Sequence, residues 1–115
     1  MNKFSFEGIG QEVVTFMADE NAENGCPVKV SENMKVSPCA DGNVFAGIAI
    51  SGDDGAKAVV IRGYVTAAYT GTAPALGYVT LAANGAGGVK AASGGRPVIV
   101  CEVDTANSKV GMFIL

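Results

Sequence analysis

The sequence contains no histidine, which removes several kinds of functional site at once. Ser–His–Asp triads and His-ligated metal centres both depend on the imidazole ring. The three cysteines lie far apart in the chain, without the Cys-x-x-Cys spacing of thiolate metal and redox motifs. We therefore expect no metal site, no bound cofactor and no catalytic residues, and we predict that the protein is not an enzyme.

The chain also has few basic residues and no long apolar run. Eight Lys and Arg residues stand against eleven Asp and Glu residues, the net charge is -3, and the basic residues are scattered. Binding to a nucleic-acid backbone needs clustered Lys and Arg, so we expect no nucleic-acid partner. A membrane-spanning helix needs about 20 consecutive apolar residues, and residues 1–7 contain no apolar segment that could act as a signal peptide. We therefore expect no membrane partner, and synthesis in a cytoplasm.

The odd number of cysteines indicates reduced thiols in a chain without a secretion signal. Cys101 lies in the apolar run Val98–Cys101, which predicts a place in the core. For Cys26 and Cys39, a disulfide bridge between the two is the alternative to free thiols.

The longest β-prone run covers residues 57–70 and organises the predicted fold. Apolar side chains fill its odd positions, which predicts one apolar face made of Val59, Ile61, Val65, Ala67 and Tyr69. Gly63 interrupts the run, and a glycine inside a strand indicates a bulge or a bend. Because a long strand with a kink can belong to two parts of a barrel or sandwich, we take this strand as the spine of an all-β domain.

Apolar stretches separated by turn signals predict about nine short strands and no helix. They cover residues 11–17, 27–31, 34–37, 44–50, 57–70, 78–82, 89–91, 97–104 and 109–115. The chain has 115 residues, 49% of them hydrophobic, which is enough for one domain with its own core. The predicted fold is an all-β barrel or sandwich at residues 11–115, preceded by an N-terminal arm at residues 1–10.

The sequence also contains an internal echo. Residues 25–30 resemble residues 77–81 with one residue deleted, and Lys57–Ile61 resembles Lys109–Phe113. A second short strand, a glycine turn and a strong apolar strand lie between the members of each pair. This pattern favours two similar β units that pack face to face and close into a barrel or sandwich.

One short motif predicts a different function. Glu32–Val36 has a Met-Lys pair at a hairpin tip, as biotinyl and lipoyl carrier domains have around their modified lysine. A carrier with Lys35 as the modified residue is therefore the alternative function, because a swinging arm needs a protruding tip. Val36 stands where the usual biotin pattern has a second methionine, and an exposed lysine beside an edge methionine is the commoner explanation.

The tyrosines and the glycine-rich segment raise the question of an interface. Tyr64 shares a face with Arg62, and exposed tyrosine beside arginine is enriched at protein–protein interfaces. Tyr69 and Tyr78 flank the turn at residues 71–77, and a buried tyrosine with a satisfied hydroxyl is the alternative for each of the three. The segment 84–95 consists of small residues that we expect cannot hold it in place, so we predict that it is either floppy or ordered by a partner.

Several motifs resemble the small phage cement, or head-decoration, family found in prophages. The resemblance lies in Met1–Phe4, Gly25–Val30, Val44–Ala49, Val60–Val65 and Thr70–Gly77, which together span most of the chain. The sequence departs from the family in having Cys26 before Pro27, and in Cys39.

The resemblance implies a non-enzymatic structural β-barrel that binds the outside of an assembled capsid, often as a homotrimer, and reinforces it. Its partners would be the major capsid protein and further copies of itself. Its location would be the exterior of the virion, after synthesis in the cytoplasm of the bacterial host. The family has no catalytic motif, so the resemblance transfers a role and no site residue.

The contact surface is instead predicted from residue types. Phe4 and Phe6 in the arm, together with the segment 84–95, form our hypothesis for the contacting or trimerising surface. The full set of predicted interface residues is Phe4, Phe6, Arg62, Tyr64, Tyr69 and Tyr78.

Overall fold

The computed structural model describes residues 11–18, 22–53 and 55–115. They form nine strands, β1 (Glu12–Ala18), β2 (Pro27–Glu32), β3 (Lys35–Pro38), β4 (Gly47–Asp53), β5 (Ala56–Ala68), β6 (Gly77–Ala83), β7 (Val89–Ala91), β8 (Arg96–Asp104) and β9 (Lys109–Ile114). The all-β prediction is confirmed. Within these ranges no helix is long and apolar enough to cross a membrane. The predicted arm, with Phe4 and Phe6, lies outside the described residues.

The first five strands close into a small barrel. They follow the order β1-β3-β2-β4-β5, and β1 pairs with the N-terminal half of β5 to complete the circle. The C-terminal half of β5 pairs with β9 instead and begins a second sheet in the order β5-β9-β8-β6-β7. The spine strand therefore belongs to both parts of the molecule, as its length and its central glycine predicted.

The two halves of the chain repeat one strand arrangement. One set has the order β3-β2-β4-β5 and the other the order β7-β6-β8-β9, with antiparallel pairing throughout each set. Each set leaves one residue out of register between its last two strands, Ile50 in β4 and Cys101 in β8. The predicted repeat is confirmed, although the pairing aligns Lys57 with Val110, one residue beyond the predicted match to Lys109.

Two hydrophobic cores hold this arrangement together. The barrel interior contains Ala18, Ala22, Val28, Val36, Ala49 and Val59. The larger core lies between the second sheet and the outer side of the barrel. From the barrel it takes Phe45, Ile48 and Val60, and from the second sheet residues such as Leu81, Val98 and Met112. The second sheet therefore has one face buried against the barrel and one face turned outward.

Gly63 lets β5 serve both cores. Its φ is 100°, in the left-handed region that side chains with a Cβ rarely adopt. Before this residue, Val59 packs inside the barrel, whereas after it Val65 and Ala67 pack in the larger core. The prediction that all odd positions share one face is therefore wrong. The pairing with β1 leaves Ile61 out of register, and this bulge and the left-handed Gly63 lie where the faces exchange, half-way along the strand.

Arg96 joins the two parts at the start of β8. Its guanidinium donates hydrogen bonds to the carbonyls of Ala46 at 2.6 Å and Ile61 at 2.8 Å, and longer ones to Phe45 and Leu115, both at 3.3 Å. These carbonyls come from the chain entering β4, from β5 and from the end of β9. One side chain thus satisfies backbone acceptors where three segments meet.

The glycine-rich segment 84–95 is held by contacts of its own, so the prediction about it is wrong. The Asn84 Oδ1 accepts hydrogen bonds from the amides of Ala86 at 2.7 Å and Gly88 at 3.0 Å. Lys90 forms an ion pair of 2.7 Å with Asp41. Small residues make these hydrogen bonds possible, because they let the loop backbone come close to the Asn84 side chain.

Candidate interaction surface

The described residues offer no site for metal chemistry. They contain no group of three or more Cys, Asp or Glu side chains that could hold a metal ion. Cys26 and Cys39 line one cavity of about 180 Å³. Both are free thiols, so the alternative disulfide is not formed.

The thiols in this cavity are poorly suited to reaction. Burial raises the pKa of Cys26 and of Cys39, and the carboxylate of Glu23 raises the pKa of Cys26 further. Because the thiolate is the reactive form, a raised pKa leaves both groups protonated at neutral pH. A binding surface is therefore a better candidate than a reactive pocket.

The most distinctive surface is a row of four side chains that crosses the outward face of the second sheet. Direct cross-strand neighbours make up this outer row: Tyr78 in β6, Ile99 in β8, Phe113 in β9 and Tyr64 in β5. Tyr78 is 69% exposed and Ile99 is 39% exposed. Cross-strand neighbours lie about 5 Å apart, so the four side chains form one continuous apolar strip.

The alternation of β8 explains why an apolar residue faces outward here. Val98 and Val100 are buried in the larger core, so Ile99 between them must point to the other face. The same alternation places Cys101, two residues after Ile99, on the outward face, where it is exposed and has no partner in the register with β9. The prediction that Cys101 belongs to the core is wrong, because Cys101 lies on the same outward face of β8 as Ile99.

A glycine in β9 allows one end of the row to lie flat on the sheet. A Cβ at Gly111 would overlap the hydroxyl of Tyr64, so this side chain lies over the glycine. The Tyr64 ring meets Phe113 edge-on with centroids 5.4 Å apart, and its hydroxyl donates a 2.9 Å hydrogen bond to Glu102. These contacts bury Tyr64 to 8% exposure, so the row runs from a fixed end at Tyr64 to an open end at Tyr78.

Further exposed groups border the row. Leu76 precedes β6 and is 67% exposed, and Leu115 follows β9 and is 43% exposed. Arg62 lies at the Tyr64 end and forms an ion pair of 3.2 Å with Glu12. An apolar centre with charged groups at its margin is the usual anatomy of a protein–protein interface.

Comparison with known proteins adds no family to this description. The chain matches no protein-family model, and no curated protein matches it. The resemblance to the phage cement family therefore stays a prediction that rests on the sequence motifs.

The structure places the predicted interface residues in two environments. Tyr64 and Tyr78 lie on the outward face of the second sheet, and Arg62 lies beside it, where β5 pairs with β1. Tyr78 is exposed, whereas Tyr64 is 8% exposed with its hydroxyl bonded to Glu102, so its position is that of the buried alternative. Tyr69, 6% exposed and part of the larger core, also has the position of the buried alternative. Phe4 and Phe6 lie outside the described residues.

Sequence reasoning missed Ile99 and Leu115. Residues 98–101 form an unbroken apolar run, which is typical of a strand buried on both faces. The available signal was the pair of neighbouring strands, since Tyr78 and Phe113 sit opposite Ile99 once the strand order is known. The strand order can be inferred from the sequence only if β6–β9 is recognised as the second copy of the repeated unit.

Proposed function

We propose that this protein is a non-enzymatic structural protein that binds the outer surface of a phage capsid and stabilises it. The partner is the major capsid protein, and the working form is a homotrimer on the exterior of the virion. The sequence motifs of the cement family supply the role. The outer row supplies a surface suited to it, and this exposed apolar strip is the observation that carries the proposal.

The chemistry of the row fits a binding role. Aromatic and aliphatic side chains at the centre of an interface contribute most of its affinity once they are covered. Each copy presents one short strip, so a single contact is weak. Many copies on a repeating shell act together, and the avidity of the array gives lasting attachment and reinforcement.

The direct test is co-sedimentation with empty shells of the major capsid protein from the same genome. We expect Ile99→Asp to weaken binding about ten-fold or more, because it puts a charge at the centre of the buried strip. Val30→Asp in β2 is the matched control, since Val30 is a β-branched residue, 52% exposed, on the barrel. Equal binding of the two variants would remove the outer row from the proposal, and no binding by the unchanged protein would remove the function.

The trimer is tested separately by light scattering. Three chains of 11.6 kDa give a particle of about 35 kDa. A monomer in solution that becomes trimeric on shells would place assembly on the capsid, whereas a monomer in both settings would contradict the homotrimer.

The alternative carrier function concerns Lys35 and has its own simple test. Lys35 begins β3, where it pairs with Glu32 of β2 and Met17 of β1, and its side chain is 29% exposed. Met34, at the turn, is 56% exposed. Intact mass spectrometry after expression with biotin or lipoate would show an addition on Lys35 if the protein were a carrier, and we expect the unmodified mass.

A further inference from the structure

We infer that the shell protein, the partner under the proposed function on which this inference rests, meets the outer row with an apolar β-sheet face. The reason lies in the internal repeat, because the first half of the chain already contains a row of the same kind with a sheet packed on it. The shell protein would take the place that the second sheet takes on that first row.

The first half of the chain contains a counterpart of the outer row. Three of its side chains, here called the inner row, are direct cross-strand neighbours: Pro27 in β2, Ile48 in β4 and Val60 in β5. Ile48 and Val60 are 0% exposed, and Pro27 is buried. Because Ile48 and Val60 belong to the larger core, the inner row lies beneath the second sheet.

The repeat gives the two rows corresponding positions. Ile48 lies two residues before the residue left out of register in β4, and Ile99 lies two residues before the residue left out of register in β8. From these central residues the inner row continues into β2 and β5, and the outer row continues into β6 and β9. The same face of the repeated unit is therefore covered by a sheet in the first half and exposed in the second.

The cover of the inner row is aliphatic. The second sheet contributes Leu81, Val98 and Met112 to the core that contains Ile48 and Val60, and all three are 0% exposed. Alternate side chains of a strand share one face, so strands from one sheet can present such a surface to another sheet. By its position in the repeat, the outer row is suited to a cover of this kind.

The outer row has also kept the apolar character of a covered face. In proteins built from stacked repeats, the terminal unit needs a polar outer face to stay soluble. The second unit of this chain instead ends in Tyr78, Ile99, Phe113 and Tyr64, with no charged side chain among them. An exposed apolar surface at this position indicates a binding site for a further layer.

A second copy of this chain offers no matching face among the residues that the structure describes. The inner face of its second sheet is already buried against its own barrel. The corresponding face of its first unit is the barrel interior, which is filled by residues such as Val28, Ala49 and Val59, all 0% exposed. The matching sheet face must therefore come from a different protein.

The test is photo-crosslinking on empty shells, with p-benzoylphenylalanine in place of Tyr78 or of Ile99. The same group in place of Val30, which is 52% exposed on the barrel, is the matched control. Mass spectrometry after irradiation locates the attached residues of the shell protein. From the row we expect attachment to apolar residues two positions apart in one segment, because alternate residues of a strand share a face. From Val30 we expect no attachment to the shell protein.

Several outcomes would overturn the inference while the proposed function stands. Attachment sites three or four residues apart would indicate a helix on the row. Attachment to a second copy of this chain, or no attachment from a variant that still sediments with shells, would also overturn it. Failure of the unchanged protein to sediment with shells would instead overturn the proposed function, and this inference with it. Circular dichroism checks that each variant is folded, and the Tyr78 position, the more exposed of the two, decides the outcome if the Ile99 variant is not.

Discussion

The hydroxyl of Tyr64 donates a hydrogen bond of 2.9 Å to the carboxylate of Glu102 across the outward face of the second sheet. The bond is possible because Gly111 lies between the two strands that carry them, and Glu102 is the direct partner of Gly111 in the register. The glycine leaves room for the tyrosine side chain, and the carboxylate fixes its far end. Together they hold the Tyr64 side chain flat on the sheet, whereas the Tyr78 side chain is exposed.

The first prediction tests this arrangement through Gly111→Ala. The added Cβ would overlap the Tyr64 hydroxyl and lie 3.0 Å from Cγ of Glu102. We expect the free energy of unfolding to fall by about 1–3 kcal/mol, as in overpacked sites. In a Tyr64→Phe background the loss should be smaller, since the hydroxyl is gone. Urea unfolding of the four proteins measures this coupling, and strictly additive losses would contradict it.

The second prediction concerns Arg96, whose guanidinium donates to four carbonyls from three segments. Burial, and then the positive charge of Arg62, lowers the pKa of Arg96, which reflects its partly desolvated position. We expect Arg96→Met to lower the free energy of unfolding by about 2–4 kcal/mol, because carbonyls near the junction lose a charged donor.

Arg62→Met is the matched control for this prediction. Its guanidinium is exposed and pairs with Glu12 on the surface, where an ion pair contributes about 0–1 kcal/mol. Chemical denaturation compares the two variants, and equal losses would show that Arg96 is no more important than a surface arginine.

Much of the fold was predictable because its signals are local. The strands at residues 89–91, 97–104 and 109–115 were placed within one residue of β7, β8 and β9, since apolar stretches between glycine and asparagine turns define a strand locally. The repeat was visible for the same reason. The closure of the barrel by β1 was not, because a pairing between β1 and β5 leaves no mark in either segment alone.

The interaction surface was only partly predictable, and bulges are the reason. One extra residue in β5, at Ile61 beside the left-handed Gly63, and one in β8, at Cys101, reverse which of the following side chains face the core. Counting odd and even positions through such a point assigns the wrong face, as happened along β5. Cys101 was assigned to the core for another reason, because it ends an apolar run. Tyr78 and Arg62 were found because an exposed tyrosine or arginine draws attention by residue type, whereas Ile99 looks like any other core isoleucine.

The third prediction uses Ser108, which has a positive φ of 55° in the turn between β8 and β9. A residue with a Cβ is strained in this region, and glycine is not. We expect Ser108→Gly to raise the free energy of unfolding by about 0.5–1 kcal/mol. The carbonyl of residue 108 still accepts the hydrogen bond from the Tyr69 amide. Ser93→Gly, at a turn residue without a positive φ, should instead be neutral or destabilising.

Thermal unfolding of the two glycine variants gives the comparison directly. A melting temperature that falls in both would mean that the left-handed conformation of Ser108 carries no strain. A rise in both would mean that glycine acts through something other than the backbone angle.

The fourth prediction is a pH dependence that originates at Asp104, which closes the same turn. Hydrogen bonds from the Asn107 side chain and backbone, with a further one from the Ala106 amide, lower the pKa of Asp104 below its usual range. Because the folded-state pKa is depressed, this carboxylate stabilises the fold above the unfolded value near 3.9, and the contribution is lost as the pH falls through the folded-state value. We expect the urea midpoint of the unchanged protein to fall more steeply below about pH 4 than that of Asp104→Asn, which has no charge to lose. Parallel curves for the two proteins between pH 6 and the acid end would contradict the prediction, because Asp104 would then contribute nothing to the acid sensitivity of the fold.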